Sequence, residues 1–131
     1  MTDLSSTRES TVLDNIASGG VYVSLHTADE GNEPDGSNEV SAADYSRQQL
    51  AEADITISGS APTTLTNDVE INWGTTQNDW GNVTYGALWN DIQGATGEEP
   101  YTATVQLGNG GSAPAGIEVK INAGDLTFDM D

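Results

Sequence analysis

Apolar residues in this chain recur at every second position over short runs, a period that fits strands and argues against a helical bundle. The stretch from Trp80 to Asp91 shows it best. Val83, Tyr85, Ala87 and Trp89 fall on one face of an extended segment, and Thr84, Gly86 and Leu88 take the other. A bulky row on one side and small residues on the other suit a central strand with a second layer packed over the aromatic row. Gly81 and the pair Asn90-Asp91 punctuate its ends as turn residues.

The same period runs through most of the chain. Val21, Val23 and Leu25 alternate with Tyr22, Ser24 and His26, and strands are also predicted around Ile55 and Ile57, and around Val69, Ile71 and Trp73. Further strands are expected over 101–107, at Ile117, Val119 and Ile121, and at Leu126, Phe128 and Met130. Gly59 to Pro62, Gln93 to Pro100 and Asn109 to Pro114 have the chemistry of turns and flexible connections, and 41–50 fits either a helical turn or an irregular approach to a strand. Only the N-terminus departs from this period. Ser6 and Glu9 form a capping box ahead of Val12, Leu13 and Ile16, which predicts one amphipathic helix over 7–17 that stops at Gly19-Gly20.

The 131 residues are read as one domain, with residues 1–20 carrying the helix and residues 21–131 the strands. The expected fold class is mainly β: an antiparallel β-sandwich or jelly-roll-like domain with one short N-terminal helix. A six-stranded barrel is the competing arrangement.

Charge narrows the partners. Twenty-one acidic residues stand against three basic ones, Arg8, Arg47 and Lys120, for a formal charge of -18. Such a balance argues against nucleic acid, whose phosphates require Lys and Arg. A lysine-poor, carboxylate-rich surface with many Thr, Asn and Gly is what molar salt selects, where the Debye length falls to about 3 Å and self-repulsion is screened. A halophilic source is therefore expected. Without cysteine there is no disulfide and no thiolate chemistry. No stretch has the length and apolarity of a membrane span or the pattern of a secretion signal, so neither membrane insertion nor export by a leader is expected.

Candidate sites are few. His26 is the single histidine, no serine lies in a nucleophile elbow, and His26 reads as a packed or hydrogen-bonded strand residue. No catalytic residue and no cofactor are assigned. The acids Asp29, Glu33, Asp35 and Glu39 are a candidate cation loop, but they miss the calcium-loop spacing and read first as a solvated loop. Arg47 stands out among so few cations and is given a structural role, its planar fork paired with a carboxylate. Trp89 is assigned to core packing. Trp80, beside Gly81 at a turn, is the aromatic expected at the surface, where it would stack a sugar in an alternative reading as an extracellular glycan-binding module. The helix residues Leu4, Val12, Leu13 and Ile16 are the candidate subunit interface, since one apolar stripe has to dock on a sheet or a neighbour.

Several segments together resemble a known family. Ser24-Leu25-His26-Thr27-Ala28-Asp29, Asn38-Glu39-Val40, Tyr45-Ser46-Arg47-Gln48, Trp80-Gly81-Asn82-Val83-Thr84 and Ala123-Gly124-Asp125-Leu126 resemble, in order, the SLHTADPG, NEV, YxRQ, WGxVT and AGDL segments of small structural proteins of tailed phages. These are described as tail-fibre or minor tail proteins. Glu30 stands where that family has proline. The resemblance implies a non-enzymatic, β-rich virion component, a tail-fibre, baseplate or capsid-decoration protein that assembles in the host cytoplasm. With the acidic composition it points to a tailed virus of haloarchaea. Other virion proteins and a host surface glycan are the expected partners, and the symmetry of particle axes adds further copies of the chain in a trimer, pentamer or hexamer.

The charge balance sets an expected salt response. Thermal unfolding followed by circular dichroism should shift upward steeply between 0.1 M and molar salt, and a melting temperature independent of salt would refute the halophilic reading.

Overall fold

A computed structural model describes residues 21–31, 34–58, 63–98, 100–102 and 104–130. The expected helix, the interface candidates Leu4, Val12, Leu13 and Ile16, and Glu33 of the acidic loop lie outside them.

The chain is mainly β. In order it forms β1 (Val21–His26), β2 (Gln48–Leu50), a 3₁₀ turn (Glu52–Asp54), β3 (Ile55–Ser58), β4 (Thr63–Asn67), β5 (Ile71–Thr75), β6 (Asn82–Trp89), β7 (Val105–Ser112), β8 (Glu118–Ile121) and β9 (Thr127–Met130). Among the described residues every strand pairing is antiparallel, in three sheets ordered β2-β1-β6-β7, β3-β4-β9 and β5-β8. All three supply one hydrophobic cluster, which includes Val21, Val23 and Leu25 from β1, Leu65 from β4, Ile71 from β5, Leu88 from β6, Ile121 from β8 and Phe128 from β9.

Period-two alternation explains how β3, β4 and β9 meet that cluster. Ile57, Leu65 and Phe128 lie opposite one another across the three strands, and so do Thr56, Thr66 and Thr127 one position along. Leu65 and Phe128 are buried, whereas Thr56 and Thr127 are exposed. Leu65 and Phe128 therefore face the core, and Thr56 and Thr127 face water.

Strands β1 and β6 are covered on both faces. Val23 pairs with Leu88 and Leu25 with Gly86, and this side joins the cluster. Gly86 makes room: a β-carbon there would stand 3.2 Å from Leu107 and 3.8 Å from Leu126. The opposite side carries Tyr22, Ser24 and His26 against Trp89, Ala87 and Tyr85, and Ser24, His26, Ala87 and Trp89 are all buried. The aromatic face of β6 was expected to be the core face. Trp89 is buried as expected, but it lies beside the hydrophobic cluster, on a side that also carries buried polar groups. An indole N–H buried among aliphatic groups would lack a partner, and on this side it has one.

Other departures have local causes. β4 escapes the alternation test because Leu65 is the one apolar residue among four polar neighbours, and its strand character comes from β-branched threonine. Val69 is 40 % exposed and precedes β5 rather than joining it. Tyr101 is also exposed, and the strand expected over 101–107 begins only at Val105 and continues through the supposed flexible connection to Ser112. Glycine permits this. The β6–β7 register is broken between Val83 and Tyr85, and a β-carbon on Gly110 would lie 2.9 Å from both Thr84 Cα and Val83 O.

Gly110→Ala should therefore destabilise the protein by about 1–3 kcal/mol, the usual range for forced overpacking. Gly111→Ala, where a β-carbon meets nothing within 4 Å, should show no loss. Denaturant unfolding in molar salt compares the two, and equal effects would refute the steric account.

Candidate functional site

The polar side of β1 and β6 holds the densest set of buried functional groups among the described residues. It is organised as two linked networks beneath the 27–40 and 90–100 loops.

The first begins at Trp89, whose Nε1 donates to Ser24 Oγ at 2.7 Å. Ser24 Oγ lies 2.6 Å from His26 Nε2, and His26 Nδ1 contacts Glu30 Oε2. Alternation places Ser24 and His26 on one side of the strand, and the turn after β1 brings Glu30 beneath the imidazole. Glu30 also accepts backbone N–H bonds from Asp35 at 3.1 Å, Gly36 at 2.7 Å and Asn38 at 3.1 Å. A carboxylate with that many donors serves as the acceptor, so Nδ1 carries the proton toward it.

Serine, histidine and glutamate thus stand in the order of a hydrolase triad. Its serine and histidine are closed off from solvent. Ser24 and His26 are 0 % exposed, Ser24 Oγ is occupied by the Trp89 N–H, and Ser24 sits within a strand rather than at a sharp turn. The array ties β6 to β1 and β1 to the loop above it.

Arg47 is the centre of the second network. Its Nε and Nη2 donate to Glu39 Oε2 and Oε1 at 2.9 and 2.7 Å, a bidentate fork. Nη1 donates to Glu98 Oε2 at 2.5 Å and to the Asp91 carbonyl at 3.1 Å. The guanidinium carbon lies 3.9 Å from the centroid of the Trp89 ring. Burial works to lower the Arg47 pKa, but its hydrogen bonds to Glu39 and Glu98 and their charges outweigh it and hold the guanidinium above its ordinary value. Tyr45 completes the set: its hydroxyl donates to Glu39 Oε2 at 2.7 Å and accepts the Leu25 N–H at 2.9 Å. Burial, reinforced by the Glu39 charge, pushes the Tyr45 phenol well above the usual tyrosine range.

Trp80 is only 4 % exposed, which corrects its expected place at the surface. Its ring meets Tyr45 edge-on, with centroids 5.4 Å apart, and its Nε1 donates to Asp44 Oδ1 at 2.9 Å. Asp44 also accepts from Gln77 N and Asn78 Nδ2, and these bonds hold its carboxyl well below the usual carboxylate range. The turn next to Gly81 is folded inward by Asp44. Trp80 therefore forms no open stacking platform.

The acidic loop disperses its carboxylates. Asp29 Oδ1 accepts from Gly31 N and from Thr104 Oγ1, Asp35 Oδ1 accepts from Ser37 N, and Glu39 faces Arg47. No group of three or more metal-ligating side chains converges among the described residues.

Glu98 and Asp44 were not singled out from the sequence, and Glu30 only as standing where the resembled family has proline. In a chain with 21 acids no carboxylate stands out by type. The spacing of four from His26 to Glu30 was a further local signal.

A family model described as podophage GP4 fiber I protein gp80 matches residues 9–129. No curated protein and no solved structure matches the chain.

Removing the Arg47 charge leaves Glu39 buried without its counter-ion. Arg47→Met should cost about 3–5 kcal/mol, and the double substitution Arg47→Met with Glu39→Gln should cost less than the single one. Denaturant unfolding of the set measures the coupling, and additive losses would show that the pair does not act as a unit.

Proposed function

We propose, since the chain belongs to the podophage GP4 fiber I protein gp80 family, that it is a non-enzymatic structural subunit of a tailed-virus particle. The family match over residues 9–129 is the observation that carries this reading. The buried state of Ser24 and His26 agrees with it, because the one triad-like array is used to fasten strands and loops. In this reading the subunit stands on the outside of the virion, in a tail fibre or as a decoration, and contacts other virion proteins. It is assembled in the host cytoplasm, and an outward position brings it to the host envelope.

The subunit forms a symmetric homo-oligomer, since particle axes repeat subunits three-, five- or sixfold. The N-terminal residues Leu4, Val12, Leu13 and Ile16 supply its interface. Only Arg47 and Lys120 are basic among the described residues, and Arg47 is buried, so the outer surface is almost wholly anionic. Such a surface supports a haloarchaeal virus as the source, where concentrated salt screens subunit repulsion and strengthens apolar contacts.

Light scattering coupled to gel filtration in 2 M salt tests the assembly. The full chain should elute as one closed oligomer, and a chain lacking residues 1–18 should elute with a smaller mass. A monomeric full chain would overturn the self-association reading. An unchanged mass after the deletion would remove the N-terminal interface.

A further inference from the structure

A groove between β7 and β8 takes no part in the networks beneath the loops. It encloses about 240 Å³ and is lined in part by Leu25, Val83, Leu107, Val119 and Ile121. These five belong to the hydrophobic cluster or pack on it, so the groove is an opening into the core. Neither wall is closed by a further strand among the described residues: β7 is last in its sheet and β8 pairs only with β5. On the β7 side a β-carbon at Gly111 would meet nothing within 4 Å, and Ile117 beside β8 is 39 % exposed. Apolar surface left open to concentrated salt is a strong site for burial, since such salt raises the penalty for exposing it.

The volume limits the occupant. It is below the roughly 300–1,000 Å³ of small-molecule sites and suits a few aliphatic side chains. Glu118, Lys120 and Asp125 line it as well, which fits an amphipathic segment with its polar side outward. The chain owns such a segment. Twenty residues precede Val21, enough to reach about 70 Å when extended, and they carry Val12, Leu13 and Ile16 at a spacing that forms one apolar stripe.

We propose that this groove receives the Val12, Leu13 and Ile16 stripe of a second copy of the chain. The point of departure favours a neighbour as donor. Val21 opens β1 opposite Leu50, four residues and about 13 Å from Leu25 in the groove, so the segment leaves from the far end of that strand. A donated segment need not double back along its own sheet. The assignment rests on the self-association reading and names the surface that receives the interface residues.

The absence of cysteine gives a clean test. Full-length Leu13→Cys protein is mixed in 2 M salt with full-length Val119→Cys protein, and separately with Ile117→Cys, and each mixture is oxidised. The expected result is a disulfide-linked heterodimer as the main product with one or both groove variants. The mixture with Gln93→Cys, beyond the opposite end of β6, should give little. Cross-linking no greater at the groove than at position 93 overturns the proposal. So does a chain carrying both Leu13→Cys and Val119→Cys that closes on itself at monomer mass, because the donor is then the same copy. Light scattering of the unmodified chain separates the failures. An oligomer without the groove cross-link overturns this assignment alone, whereas a monomer overturns the self-association reading too.

Discussion

A single guanidinium, stacked on one indole and shared by two carboxylates, is the contact on which the upper part of the structure depends. Arg47 sits between Glu39, which ends the acidic loop, and Glu98, in the connection that follows β6. Trp89 forms the floor beneath it. Two loops far apart in sequence are thus referred to the same strand. The pairing is bidentate and largely out of water, so its geometry is set by the planar fork as much as by charge. Lysine in that place would keep the charge and lose the fork. Taking such groups out of water is expensive, and the arrangement persists because every buried polar side-chain atom among the described residues has a hydrogen-bond partner.

How much was legible in advance follows from what alternation can and cannot report. It marks strands where apolar residues mark one face, and β1, β3, β5, β6, β8 and β9 were found in that way. β4 and the later half of β7 were not. Thr63 to Asn67 offers one apolar side chain, and the glycines of β7 are in the strand because Gly110 must pass against the backbone of Thr84. The alternation also named the two faces of β6 without saying which was apolar underneath. Leu88 and Gly86 look less like a core face than Trp89 and Tyr85, yet aliphatic residues from β7 and the β8–β9 connection fill the space above Gly86. Arg47 was visible because cations are scarce. Its carboxylate partners were not, because carboxylates are everywhere. Sequence rarity identifies one half of an ion pair, and only the fold identifies the other.

The polar and apolar halves of the molecule divide the work. The cluster drawn from all three sheets supplies burial, while the buried hydrogen bonds on the other side of β1 and β6 fix where the loops stand. For a virion structural protein this division is useful. Contacts with neighbours require loops and edges held at defined positions, and hydrogen bonds are directional where apolar packing is not.

Glu30 holds its loop by backbone amides alone. The three N–H groups it receives, from residues 35, 36 and 38, belong to the main chain and are present whatever side chain each position carries, proline excepted. The bonds to Glu30 therefore demand little of the side chains at these positions, while Asp35 also uses its carboxylate on the Ser37 N–H. Gly36, with φ of +82°, is the exception, since a side chain there would be strained. A change of side chain at residue 37 or 38 would leave in place every main-chain bond that Glu30 receives.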